Sequence, residues 1–285
     1  MVRHLRLLRS AWGLSHLGSD PPRAVAHVCA AGLDGIEASL GDIGCSKKLR
    51  ALCEALKQQG RLLILSAYSS WPNYEGEFDA RSSVQDHITA FERELKEIAE
   101  CHASFPQTVV RINGHSGSDA WSQAEANDYF GAVTDTATSW GLPLAHETHR
   151  GRYLCCPFAT RRMLSEVPNL RLTLDFSHWV LKCERLLDSE EESTMLRREI
   201  APAVDHIHAR IGTRHLPQVA DLQSPLVAYA AERYYSLWED VWSSHEEASV
   251  SSRSSIATAT MEYGPREYDI NGDYVDLLSA CSERL

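Results

Sequence analysis

The chain contains no apolar run long enough to cross a membrane. A transmembrane helix needs about 18 or more consecutive apolar residues, and charged residues interrupt every apolar segment before that length. The first residues, MVRHLRLLRSAWG, are basic and partly apolar but lack the continuous apolar core of a signal peptide. The sequence therefore predicts no membrane association and a cytoplasmic location.

The cysteines show no spacing that would bind a metal or build a disulfide framework. The chain has 8 cysteines and no CxxC pair. A zinc-thiolate site or a disulfide-stabilised fold would need closer and more regular spacing. We expect reduced thiols, most of them buried as small apolar side chains.

An excess of positive charge is also missing. The 28 Lys and Arg residues face 39 Asp and Glu residues, giving a net charge of −11. Such a field repels polyanions, so we expect no nucleic-acid partner. The chain also lacks a Gly-rich phosphate loop, and the GHSGS segment at His115 does not match G-x-S-x-G. These absences argue against a nucleotide-dependent enzyme and a serine hydrolase.

What the chain does have is a regular alternation of apolar runs and amphipathic stretches. SKKLRALCEALKQQG, for example, places Leu49, Leu52, Cys53 and Leu56 on one helical face. Alternating strands and helices indicate parallel strands joined by right-handed crossovers. Eight such units predict a (β/α)8 TIM barrel, an α/β fold, as a single domain over residues 1–285; an open doubly wound sheet is the alternative. The predicted strands cover residues 3–12, 35–40, 61–69, 108–115, 142–147, 172–178, 204–212 and 254–265, and a last helix covers 271–283.

Four consecutive predicted strands end in side chains that bind metals. In a TIM barrel the carboxyl ends of the strands meet at one face, where active sites lie. A single strand-end glutamate is more often a surface or salt-bridge residue, but a set of this composition favours a metal site. Three carboxylates and one imidazole suit Mn²⁺ or Mg²⁺, with Co²⁺ or Zn²⁺ as further candidates. The predicted ligands of one divalent ion are Glu147, Asp175, His208 and Glu262.

Further polar side chains share faces with these ligands. Side chains alternate along a strand, so Asn113 and His115 share one face of the fourth strand, and His149 shares a face with Glu147. We predict that Asn113, His115 and His149 bind substrate. His206 shares a face with His208 but is predicted to line the barrel wall rather than to bind the metal.

The motifs resemble those of the xylose isomerase-like barrels. The similar elements are a strand-end Glu, Asp-x-x-His, His-x-His and a terminal Glu-x-Gly-Pro, between residues 147 and 265. The family includes sugar epimerases, hydroxypyruvate isomerases, inosose and dehydroshikimate dehydratases, and apurinic endonucleases. The resemblance implies that the four strand-end residues hold one divalent ion. In the ketose 3-epimerases the two glutamates act as acid and base, and His178 and Arg214 match substrate-binding positions of that branch.

Two departures bear on the substrate. Those epimerases have an acidic residue where this chain has Tyr153. The HETHRGR segment adds Arg150 and Arg152, which with Arg214 would suit a carboxylate or phosphate on the substrate, or would pair with the acidic surface. The chain also lacks the additional histidine and Asp-x-His ligands of the endonucleases, which argues against DNA cleavage.

The predicted chemistry is proton abstraction next to a carbonyl. Glu147 or Glu262 would remove the proton while a metal stabilises the enediolate. We therefore predict a metal-dependent isomerase or epimerase acting on a sugar or a related polyhydroxy carbonyl compound. A dehydratase or lyase of the same fold and an inactive small-molecule-binding barrel are the alternatives. The aromatic segment RYYSLWEDVW is interpreted as a helix that packs on the barrel, with a homo-oligomer interface as the alternative.

Overall fold

Eight parallel strands form a closed barrel in sequence order, with β8 beside β1. The computed structural model describes residues 5–12, 20–77, 79, 81–219, 221–248 and 256–264. The barrel confirms the predicted (β/α)8 fold and excludes the open sheet. The domain extent of 1–285 stays a prediction, because the predicted helix 271–283 lies outside the described residues. The strands are β1 Arg6–Ser10, β2 Gly35–Ser39, β3 Leu62–Tyr68, β4 Val109–His115, β5 Leu144–Glu147, β6 Leu172–Leu174, β7 Val204–His208 and β8 Thr258–Met261.

Helices lie between the strands and shield the barrel from solvent. Three of them begin at a serine whose side chain accepts from the third helical residue, while the acidic side chain of that residue accepts from the serine amide. The apolar face predicted for the segment SKKLRALCEALKQQG is buried, with Leu49, Leu52, Cys53 and Leu56 on it. The helices are α1 Pro21–Ala30, α2 Leu40–Ile43, α3 Ser46–Gln58, α4 Val84–Ser104, α5 Gln123–Ser139, α6 Pro157–Glu166, α7 Phe176–Cys183, α8 Glu190–Met195 and α9 Pro225–Ala248.

Asp175 ends the sixth predicted strand early. The predicted strand 172–178 stops at Leu174 because Asp175 caps α7, its side chain accepting from the Ser177 amide. His178 therefore lies on a helix. Further along the chain, α8 is followed by a π turn at Leu196–Ile200 and a 3₁₀ turn at Ala201–Ala203. Pro202 has no amide hydrogen to continue an α-helix.

The aromatic segment of α9 packs on the barrel. Tyr234, Leu237, Trp238 and Val241 are buried, which favours the packing interpretation over a dimer face. Within the described part of the chain, no helix combines the length and apolarity needed to cross a membrane.

The described cysteines are free thiols, and Cys281 lies outside the described residues. Three of them are buried, namely Cys53, Cys101 and Cys155. The prediction that most are buried is therefore too strong.

Side chains on the inner face of the barrel are polar toward the carboxyl ends of the strands. Glu37 of β2 contacts His206 and His208 of β7 across the barrel, at 3.2 Å and 3.0 Å. Residues of opposite parity, such as Ile36 and Ile207, are buried apolar side chains. This alternation creates one polar chamber inside the barrel, near the carboxyl ends of the strands, and Glu37, His206 and His208 project into it.

Two buried histidines outside this chamber should make the folded state less stable in acid. Burial lowers the pKa of His87 to about 4 and that of His146 to about 3. The unfolded chain takes up protons near pH 6.5 that the folded chain excludes, so stability falls as pH drops from about 6.5 towards 4. The free energy of unfolding should fall by up to about 2.7 kcal/mol per pH unit from these two groups together. Urea unfolding between pH 4.5 and 7, with pH values spaced evenly (~0.5 apart), measures this slope.

The variant His146→Asn is the matched test of this pH dependence. It keeps a polar partner for Ser116 Oγ, which lies 2.7 Å from His146 Nδ1, but removes the titrating group. The slope should decrease by about 1.4 kcal/mol per pH unit. An unchanged slope would show that His146 does not enter the fold as the neutral form.

Candidate metal centre

The four predicted metal ligands lie together at the carboxyl ends of four neighbouring strands. Glu147 ends β5 and His208 ends β7, whereas Asp175 and Glu262 follow β6 and β8 directly. One potential ligand atom from each lies within 4.8 Å of the others. The barrel thus brings together a set that spans more than a hundred residues of sequence.

His208 occupies the middle of this cluster. Its Nδ1 lies 3.0 Å from Glu262 Oε2 and 3.6 Å from Glu147 Oε1. Its other ring nitrogen, Nε2, faces Glu37 at 3.0 Å. The imidazole therefore presents one nitrogen to the acidic cluster and the other to a carboxylate outside it.

Three atoms of the cluster are buried without a hydrogen-bond partner among the described residues. They are Glu147 Oε1, His208 Nδ1 and Glu262 Oε2. Buried polar atoms in folded proteins are almost always paired, and Nδ1 can bond to a carboxylate only when it carries a proton. A cation at their meeting point would satisfy all three. This donor set fits one oxygen-preferring divalent ion.

Asp175 is the most heavily bonded member of the set. Its Oδ1 accepts from the Ser177 amide at 2.8 Å and from Ser177 Oγ at 2.6 Å, and its Oδ2 accepts from Arg210. Burial raises the pKa of Asp175, and the charge of Arg210 offsets only part of that effect. A cation would have to share Oδ2 with Arg210.

Charges around His208 favour its protonated form when no metal is bound. Burial by itself would lower the pKa of His208. The surrounding negative charges outweigh burial and raise this pKa well above its ordinary value; they belong to Glu262, Glu37 and Glu147. Burial would likewise raise the pKa of Glu147, but His115 and His208 lower it well below its ordinary value.

Asn113 and His115 both contact the buried Glu147. Asn113 Nδ2 donates to Glu147 Oε2 at 2.9 Å, and His115 Nδ1 lies 3.1 Å from the same oxygen. His115 Nδ1 also lies 2.9 Å from the hydroxyl of Tyr74. These contacts orient the carboxylate so that its Oε1 faces the cluster.

His149 and His178 lie against each other beside the cluster, with ring centroids 3.9 Å apart. His178 Nε2 is 3.5 Å from Asp175 Oδ2 and 4.0 Å from Glu147 Oε1. The ring of His149 stacks on Tyr74 at 4.5 Å. Both imidazoles are therefore placed to meet a molecule bound at the cluster.

The arginines are arranged differently from the prediction. Arg214 is exposed, and its Nε bonds to His215 Nε2 at 3.1 Å; the loop after β7 directs it away from the acidic cluster, so the structure does not bring it to the site. The cation at that place is Arg210, which bonds to Asp175 and lies 3.6 Å from Glu262 Oε2. Arg152 is buried and donates to the backbone carbonyl of Ser70. Arg150 lies 3.2 Å from His178 Nδ1.

Comparison with known proteins identifies the family to which the chain belongs. A sequence model of the xylose isomerase-like TIM barrel matches residues 25–220. The chain belongs to this family. No curated protein matches its sequence significantly.

Solved structures share the barrel of this xylose isomerase-like protein. The probable 3-DHS dehydratase AsbF of Bacillus anthracis is 17% identical, with 98% of each chain covered and a TM-score of 0.60. A xylose isomerase-like TIM barrel protein of Mycobacterium smegmatis, in complex with magnesium, is 13% identical over 100% of this chain and 98% of that chain, with a TM-score of 0.61. A sugar phosphate isomerase/epimerase of Parabacteroides distasonis is 9% identical over 99% and 96%, with a TM-score of 0.60. At these identities the likeness shows the fold.

Three residues of the site in this xylose isomerase-like barrel were not predicted. Arg210 shares the strand parity of His208, so its inward direction was available from the sequence. Glu37 is a lone acid in an apolar strand, and its partners lie about 170 positions away across the closed barrel. Tyr74 comes from a loop whose backbone has left-handed φ values at Trp71, Asn73 and Tyr74. Nothing in the local sequence signals that conformation.

A divalent cation bound at the cluster must displace the proton of His208. At pH 7, Mn²⁺ binding should release about one proton per chain, and its affinity should fall as pH is lowered. Calorimetric titrations in buffers of different ionisation enthalpy give the number of protons released. Binding without proton release would contradict the raised pKa of His208.

Proposed function

We propose that this xylose isomerase-like barrel is a divalent-metal-dependent isomerase or epimerase. Its substrate would be a sugar or a related polyhydroxy carbonyl compound rather than a nucleic acid. The observation that carries the proposal is the convergence of three unpaired ligand atoms, two of them glutamate oxygens that both face His208 Nδ1. This arrangement offers a metal position and two candidate proton carriers at one point.

Glu147, Asp175, His208 and Glu262 would hold the ion, with Mn²⁺ or Mg²⁺ preferred by the oxygen-rich set and Co²⁺ or Zn²⁺ as further candidates. When bound, the ion would polarise the substrate carbonyl and stabilise the negative charge that develops as a neighbouring proton leaves. The magnesium found in the Mycobacterium smegmatis protein supports this choice.

The two glutamates are suited to opposite proton-transfer roles. Glu147 is fully buried, and Asn113 fixes its orientation, whereas the side chain of Glu262 is 15% exposed at the mouth of the barrel. One of them would remove the proton next to the carbonyl, forming the enediolate. Return of a proton to the opposite face of the same carbon gives epimerisation, and return to the neighbouring carbon gives isomerisation.

The imidazoles and Arg150 would bind the remainder of the substrate. His178 and His149 lie beside the cluster. His149 Nδ1 donates to the Arg150 carbonyl, so its Nε2 can accept from a substrate hydroxyl, while His178 is held between Arg150 and Arg210. Arg150 is half-buried next to His178, where its guanidinium can meet a carboxylate or phosphate group. His115 contacts Glu147 on the other side.

Loss of a β-hydroxyl from the same enediolate would make the protein a dehydratase. The fold shared with the 3-DHS dehydratase supports this second candidate. Both reactions begin with the same proton removal, so the product separates them.

Incubation in D₂O with Mn²⁺ and a panel of ketoses, keto acids and inososes tests the proposal. Deuterium at the carbon next to the carbonyl, without loss of water, supports the isomerase or epimerase. Net loss of water supports the dehydratase. Neither change over the whole panel, with metal bound, supports the inactive binding barrel. Protein treated with a chelator is the control, and it should lose the activity and regain it with Mn²⁺.

A further inference from the structure

Glu37 lies inside the barrel behind His208, on the side away from the acidic cluster. It comes from β2 and is 4% exposed. Its Oε1 and Oε2 are 3.0 Å and 3.1 Å from His208 Nε2, and Oε2 is 3.2 Å from His206 Nε2. Ser66 Oγ donates to Oε1 at 3.5 Å. Two imidazole nitrogens thus share one carboxylate.

The hydrogen-bonding capacity of this group fixes where the imidazole protons lie. An ionised carboxylate only accepts, so His208 Nε2, which contacts both Glu37 oxygens, must carry a hydrogen. His206 Nε2 lies near Thr260 Oγ1 as well as Glu37 and donates to the carboxylate when its hydrogen is on Nε2. His206 Nδ1 can then accept from Thr258 Oγ1, which is 2.8 Å away. With its hydrogen on Nε2, neutral His208 has its lone pair on Nδ1, the atom that faces Glu147 and Glu262.

We infer that Glu37 is a positioning residue for the metal centre: by accepting from His208 Nε2, it presents Nδ1 of His208 to the divalent cation. The inference rests on the metal centre of the proposed function. A carboxylate behind a histidine ligand fixes its tautomer and ring orientation and raises its basicity. Glu37 thereby contributes to cation affinity without contacting the cation.

Glu37, His206 and His208 are themselves close enough to hold an ion of their own. Hydrogen bonding favours the positioning role. The Glu37 oxygens and the facing Nε2 atoms all have partners, in contrast to the three unpaired atoms in the acidic cluster. The number of ions bound per chain separates the two arrangements.

Mn²⁺ titration followed by electron paramagnetic resonance of the free ion measures affinity and stoichiometry without using activity. Wild type should bind one Mn²⁺ per chain. In Glu37→Gln one of the two oxygen acceptors becomes an NH₂ donor and the negative charge is lost, so Mn²⁺ should bind about 10- to 100-fold more weakly. Glu37→Met removes both acceptors and should bind at least as weakly, and it provides a second variant should the first not fold.

Glu94→Gln is the matched control. Glu94 is a half-buried carboxyl group on α4 that accepts from the Tyr68 amide at 2.8 Å, so the substitution makes the same change of side chain outside the His208 contacts. Its Mn²⁺ affinity should stay close to that of wild type. Equal weakening by Glu94→Gln and Glu37→Gln would overturn the positioning role.

Histidine-selective ¹⁵N spectra of the Mg²⁺-saturated wild type provide a test that needs no stable Glu37 variant. The signals of His208, assigned by their loss in His208→Gln, should show a hydrogen on Nε2 and none on Nδ1. A hydrogen on Nδ1, unchanged Mn²⁺ affinity in the Glu37 variants, or a second Mn²⁺ lost with Glu37 would each overturn the inference. Absence of Mn²⁺ binding by wild type would instead refute the metal centre of the proposed function, and the inference with it.

Discussion

Glu147→Gln is expected to lower turnover by about a thousandfold or more at saturating metal. Loss of a general base alone costs on the order of 10²- to 10⁴-fold, and an amide cannot take up the substrate proton. Asn113 Nδ2, which donates to Glu147 Oε2 in the native protein, can bond to the amide oxygen, so the side chain should keep its position. The rate of deuterium incorporation from D₂O, with Mn²⁺ in excess, measures the effect.

Asp175→Asn is the informative comparison for that variant. Asp175 already shares its oxygens with Ser177 and Arg210, and we assign it no proton transfer. Its replacement should weaken metal binding while leaving substantial turnover once the metal is saturating. Glu262→Gln should resemble Glu147→Gln. If Glu147→Gln recovers with excess Mn²⁺ as Asp175→Asn does, Glu147 is a ligand and not a proton carrier.

Arg152→Met is expected to destabilise the fold by about 3 kcal/mol, because hydrogen bonds from a buried charged group contribute about 1.5–3 kcal/mol each. Arg152 is 1% exposed and donates to the Ser70 carbonyl at 2.9 Å and to Ser70 Oγ at 3.0 Å. It also lies over the ring of Tyr74, 5.0 Å from its centroid. Without it, buried acceptors lose their donor and the left-handed backbone at Tyr74 loses a support. Urea unfolding of the metal-free protein measures the change.

Arg150→Met provides the control from the same segment. Arg150 is half-buried and contacts the ring of His178 and not the loop backbone, so stability should change little. Its effect should be on KM for substrates that carry a carboxylate or phosphate. Equal destabilisation by the two substitutions would mean that the segment tolerates neither change and that Arg152 has no special structural role.

The fold and the convergence of the four strand-end residues could be predicted from the sequence because both follow from local rules. Alternation of strands and helices predicts the barrel, and barrel geometry collects strand ends at one face. Glu147 and His208 each end a strand, and strand alternation together with barrel geometry predicts that such side chains lie close together. Neither inference required knowledge of any distant contact.

Other parts of the site depend on geometry that local patterns do not encode. The resemblance to the ketose 3-epimerases implied Arg214 as a substrate-binding residue, but Arg214 is exposed on the loop after β7, and Arg210 lies at the cluster instead. His178 was placed on a strand because Asp175 was not recognised as a helix cap. The contact of Glu37 with His208 exists only because the barrel closes and brings β2 opposite β7.

The bond between Arg210 and Asp175 has a consequence for how the protein matures. Arg210 also lies close to Glu262, so a fixed positive charge already balances part of the acidic cluster before any ion arrives. The barrel is therefore expected to fold without metal, and the divalent ion of the proposed function would bind to a folded protein. Occupancy of the proposed site would then follow the supply of divalent ions.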